Sequence, residues 1–66
     1  MKLKEFLELI RTNEEFNIYD PVENEYLQLE IFKENVREEY LGCKVTGVNA
    51  NFSYGNDAIL EIDIVR

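Results

Sequence analysis

Glu61 and Asp63 stand two residues apart in a run that alternates apolar and acidic side chains, Ile59-Leu60-Glu61-Ile62-Asp63-Ile64. On a β-strand, residues two apart share a face, with their Cα atoms separated by roughly 6.8 Å. Neighbouring phosphates along one DNA strand are separated by an axial rise of about 3.4 Å plus sideways winding, roughly 7 Å in all. Two carboxylates on one strand therefore have the spacing to imitate a short phosphate track. A basic nucleic-acid-binding groove would be attracted to them, and tyrosines nearby could stack on its arginines. Tyr19, Tyr26 and Glu30 join Glu61 and Asp63 as the expected partner-binding residues. The simpler reading is a solvated face, because antiparallel sheets commonly expose one polar side and net charge maintains solubility.

Other chemistry finds little support. Nucleophilic catalysis needs an activated Ser, Cys, Thr or Lys beside a base, and the chain has no histidine. Ser53, the sole serine, sits next to an expected turn where Asp57 offers only an ordinary turn hydrogen bond. Cys43, the sole cysteine, follows Gly42 at the start of a strand and reads as a small, partly buried residue. Paired carboxylates can do acid/base work, but only in a cleft with walls. No catalytic residue and no cofactor is expected. Zinc lacks ligands. Oxygen ligands for calcium gather at two turns, Asp20-Pro21-Val22-Glu23-Asn24-Glu25 and Asn56-Asp57, yet neither has EF-hand spacing, and no metal is expected. Glycine-rich phosphate loops are missing too.

Fourteen Asp and Glu against seven Lys and Arg give a net charge of −7. Phosphate backbones and anionic lipids would be repelled, so a charge-driven partner should be a basic protein surface. The 66 residues allow one domain, 1–66. Its hydrophobic content argues for folding, and a single cysteine cannot form a disulfide within the chain. Lys2 and Lys4 resemble the basic start of a signal peptide, but Glu5 and Glu8 interrupt the apolar run that would have to follow. A cytoplasmic protein is expected.

The elements that must position the acids follow from periodicity. Leu3, Phe6, Leu7 and Ile10 fall on one stripe, which predicts an amphipathic helix over 2–11. Phe16 to Asp20 alternates, Asp20-Pro21 turns the chain, and Glu25 to Phe32 alternates again with Leu27, Leu29 and Ile31 inward. Between 33 and 41 a short helical segment is expected, with Asn35 and Glu38 in a capping-box-like arrangement and Gly42 as the stop. Cys43 to Tyr54 and Ala58 to Val65 read as a second hairpin through Gly55-Asn56-Asp57. Val45 and Val48 have opposite parity, and Gly47 between them predicts a bulge. The resulting class is α+β, in the order α-β-β-α-β-β, with one main helix packed on a four-stranded, mostly antiparallel sheet. The face away from the helix would then carry Asn17, Tyr19, Tyr26, Gln28, Glu30, Phe32, Ile59, Glu61, Asp63 and Val65.

Four stretches together carry a resemblance: Met1-Lys2-Leu3-Lys4-Glu5-Phe6-Leu7-Glu8-Leu9-Ile10, Tyr19-Asp20-Pro21, Glu38-Glu39-Tyr40-Leu41 and the alternating run ending at Ile64. With them the chain resembles the short acidic accessory proteins of phages and mobile elements of Gram-positive bacteria, over most of its length. Some members of that group are anti-CRISPR or other anti-defence inhibitors that occupy basic nucleic-acid sites. The resemblance implies a non-enzymatic inhibitor, and no functional motif carries over residue by residue. The alternative is a structural or homodimeric module, in which Ile59, Phe32 and Val65 form contacts between copies and the acidity only solubilises.

Overall fold

The structure, a computed structural model, describes residues 1–11, 13–52 and 58–66, with the backbone path alone for 51 and 52. The expected turn at Gly55-Asn56-Asp57, and Ser53 and Tyr54 before it, lie outside the described residues. Helix α1 spans Leu3–Leu9, strand β1 Phe16–Asp20 and strand β2 Glu25–Ile31. A 3₁₀ turn at Lys33–Asn35 and a one-turn helix α2 at Glu38–Leu41 follow, then β3 at Lys44–Phe52 and β4 at Ala58–Val65. The α+β class holds, and the sheet is mixed.

Helix α1 buries Leu3 and Leu7, one turn apart, while Phe6 and Ile10 pack at the margin. Its first turn is closed by Glu5, whose carboxylate accepts the Lys2 backbone N–H at 3.0 Å. It stops two residues short of the expected Arg11, because Ile10 turns to an extended backbone before the polar Thr12-Asn13 pair. The residues ahead of the helix are stitched to the start of β3. Leu3 N–H donates to the Cys43 carbonyl at 2.8 Å, and Val45 N–H donates to the Met1 carbonyl at 2.8 Å. The expected pairing of Asn35 with Glu38 does not form one cap. Asn35 ends the 3₁₀ turn, and α2 starts afresh after Arg37, whose extended backbone separates the two. Gly42 does close α2, in the right-handed conformation.

The strand order is β2-β1-β4-β3. Both hairpins are antiparallel as expected, but they join through a parallel pair, β1 with β4, aligned Phe16 to Leu60 and Tyr19 to Asp63. The sheet is therefore mixed rather than mostly antiparallel. The two central strands are those with the most apolar inner faces: Phe16, Ile18, Ile62 and Ile64 are fully buried. Leu3, Leu7 and Tyr40 close the core above them. Strands with more polar residues, such as Gln28 on β2 and Lys44 and Thr46 on β3, take the edges.

Strand β2 departs most from its expected pattern. Its pairing with β1 slips twice, between Tyr26 and Gln28 and again before Ile31. Each slip inserts a residue, so strict alternation fails. Leu29, expected inward, is 58% exposed. Gln28, expected on the open face, is opposite the core residue Ile18 and reaches the segment before α2. There its amide donates to the Asn35 carbonyl at 3.2 Å and accepts the Arg37 N–H at 2.9 Å. Phe32 lies beyond the strand, at the start of the 3₁₀ turn. Glu30 adopts φ 49°, the left-handed region that non-glycine residues seldom occupy. The bulge expected at Gly47 does occur: the register of β3 against β4 shifts between Val45 and Gly47.

The β1–β2 turn is held by Asp20. Its Oδ1 accepts the backbone N–H groups of Val22 at 2.9 Å and Glu23 at 3.1 Å. Its Oδ2 accepts Arg66 Nε at 3.0 Å, tying the end of β4 to this turn. Asp20 is only 2% exposed, and these donors hold its carboxyl below the ordinary value, the Glu23 N–H foremost.

Candidate functional site

Alternation along β4 places Leu60, Ile62 and Ile64 toward the core, and so Glu61 and Asp63 on the other side of the sheet. The pairings then bring their neighbours to them. Asn17 and Tyr19 of β1 align with Glu61 and Asp63, and Tyr26 of β2 aligns with Tyr19. On the other flank Asn49 aligns with Glu61 and Gly47 with Asp63. Four of the five residues expected to bind a partner, Tyr19, Tyr26, Glu61 and Asp63, thus meet on one face. Glu30 comes to its border, where its backbone N–H donates to Asn17 Oδ1 at 2.7 Å.

The face is not the row of solvated charges that the spacing alone suggests. Glu61 retains 7% of its exposure and Asp63 is half-buried. Tyr19 and Tyr26 pack ring to ring, with centroids 4.8 Å apart and planes tilted by 58°. The Tyr19 hydroxyl donates to the Asn24 side chain. The Glu61 carboxylate beside Tyr26, followed by burial, pushes the Tyr26 phenol above the usual range. Asn49 Nδ2 donates to Asp63 Oδ2 at 3.3 Å. A Cβ on Gly47 would come within 3.1 Å of the same Asp63 oxygen, so glycine there lets the carboxylate settle against the strand.

Among the described residues two buried oxygens are without a partner: Glu61 Oε1 and Asp63 Oδ1, both shielded from solvent. Burial and the neighbouring Glu61 charge raise the Asp63 carboxyl above its ordinary value, against the lowering pull of the Asn49 amide. Among the described residues the ion pairs are those of Arg37 with Glu39 and of Arg66 with Asp20 and Glu25, so none reaches this pair. Lys33 donates to the Ile10 carbonyl at 2.8 Å, away from the sheet face. Lys44, opposite Val65 at the end of the face, is exposed. The result is a carboxylate pair that is desolvated, unneutralised and not covered by either helix.

Sequence reasoning had found the carboxylates and tyrosines but not Gly47 and Asn49 as their partners. Their parity beyond the bulge was the available signal, because Val48 and Ala50 on one side leave Gly47 and Asn49 on the other. Ile59 and Val65 stand on the same side as the acids, but Glu61 and Asp63 separate them, so they make no continuous apolar patch. Cys43 is half-buried, with its thiol 3.7 Å from the Glu39 carbonyl. No group of three or more acidic, Cys or His side chains converges to hold a metal among the described residues. Nor is any helix there long and apolar enough to cross a membrane. No protein-family model, curated protein or solved structure matches the chain.

Proposed function

We propose that this chain is a non-enzymatic interaction protein that docks its open sheet face on a basic surface of another protein. A surface that ordinarily binds nucleic acid is the expected target, and blocking it is the role of a mobile-element inhibitor. The observation that carries the reading is the pair of orphaned carboxylate oxygens on Glu61 and Asp63. A desolvated anion with no cation is costly, and a basic partner would supply the missing charge and donors. The net charge of −7 adds attraction at long range and disfavours nucleic acid as a direct ligand. Tyr26, 47% exposed beside Glu61, offers an aromatic anchor at the rim.

Capture experiments test this with two variants of equal net charge. Glu61→Gln/Asp63→Asn removes the charges of the face, and Glu34→Gln/Glu38→Gln removes two elsewhere. Proteins of the native cell that bind the immobilised wild type at low salt should bind the second variant and not the first. Identical capture by both variants would show that acidity in general, and not this face, does the binding.

A further inference from the structure

We infer that Glu61 and Asp63 act together as a notch for a single arginine side chain of the partner, an inference that rests on the basic-partner reading and narrows it. Glu61 is more than nine-tenths buried, and its Oε1 lacks a partner, as does Oδ1 of Asp63 one face-position along the strand. Two acceptors on adjacent same-face positions suit a donor that presents two N–H groups in a fixed plane. Guanidinium does this, whereas a lysine ammonium is a compact, strongly hydrated point charge. The other Asp63 oxygen is already committed to Asn49, which fixes how that carboxylate presents itself. Gly47 supplies no side chain opposite Asp63. Of the Tyr19–Tyr26 ring pair, Tyr26 interacts with Glu61 and Tyr19 aligns with Asp63, so a planar cation entering there has an aromatic ring beside it. Tyr26 itself is half exposed on the edge strand β2.

This differs from mimicry of a phosphate track. A track meets many cations along its length, while a notch takes one and selects its type. Titration of the labelled protein with the capped tripeptide Gly-Arg-Gly, followed by amide NMR, measures the difference, with Gly-Lys-Gly and calcium chloride in parallel. The arginine peptide should give saturable shifts at Glu61, Asp63, Tyr26 and the Asn49 side-chain amide. The lysine peptide should bind about three- to tenfold more weakly, the worth of one additional hydrogen bond. Asp63→Asn and Glu61→Gln, each folded by circular dichroism, should both lose the response. Equal titration by the two peptides, or a stronger response to calcium, overturns the arginine notch and leaves the test by capture of a basic partner unaffected. Shifts confined to the acids of α1 and α2 overturn both readings.

Discussion

Glu61→Gln should make the protein more stable while removing its binding capacity. The carboxylate is 7% exposed, and one of its oxygens has no donor. Leaving a buried polar atom unsatisfied costs about 1–3 kcal/mol, more when it is charged. Glutamine has nearly the same shape, removes the repulsion with Asp63 and carries an N–H that can serve the orphaned Asp63 oxygen. Against this, Tyr26 loses its interaction with the Glu61 charge, a loss of about 1 kcal/mol. The net expectation is a gain of about 1 kcal/mol, which in a domain of this size raises Tm by about 4–8 °C. Thermal unfolding at pH 7, followed by circular dichroism, reads it directly. The phenol of Tyr26 should also titrate closer to its ordinary value of 10.0, since Glu61 is the largest cause of its rise. A variant that melts below the wild type, with Tyr26 unchanged, would mean that the Glu61 carboxylate is satisfied, and the notch would lose its basis.

The two aspartates should bend the pH dependence in opposite directions. Asp63 titrates above 3.8 in the folded chain, so stability falls as pH rises from 3.8 through its folded value, and Asp63→Asn should abolish that fall. Asp20 titrates below 3.8, so its contribution is complete above 3.8 and is lost as pH drops through the folded value; urea midpoints against pH for Asp20→Asn check this. Glu30→Gly should stabilise by about 1 kcal/mol, because φ 49° burdens a side chain that glycine lacks; a loss on urea unfolding would refute it. Phe16→Ala removes a fully buried ring at the centre of the sheet. Its cost of about 3–5 kcal/mol approaches the whole stability of so small a domain, so a largely unfolded chain is expected by circular dichroism.

Periodicity carried the local architecture. The stripe of Leu3, Phe6, Leu7 and Ile10, the alternation of β4 and the parity conflict around Gly47 each correspond to an observed element or bulge. Strand β2 was less legible because a bulge adds residues without changing composition, so Leu29 and Gln28 exchanged their expected sides. The parallel pairing of β1 with β4 was illegible for a different reason. Hairpins announce themselves by a short turn, whereas a parallel neighbour is chosen by how two distant apolar faces pack. Local pattern likewise placed Glu61 and Asp63 on one face but left their desolvation invisible. The neighbours that meet them there, Tyr26 and Asn49, arrive from strands on opposite flanks. The clasp of Asp20 by Arg66 spans most of the chain and left no mark on neighbouring residues.

The most direct measurement is calorimetric titration of the arginine tripeptide into wild type, Glu61→Gln/Asp63→Asn and Glu34→Gln/Glu38→Gln, at low and high salt. If the open face is a receptor for a basic partner, the first variant loses all measurable heat of binding, and the second keeps the wild-type affinity apart from a small electrostatic loss that salt removes. Equal weakening of the two variants would contradict it, because Glu61 and Asp63 would then act only as part of a diffuse charge.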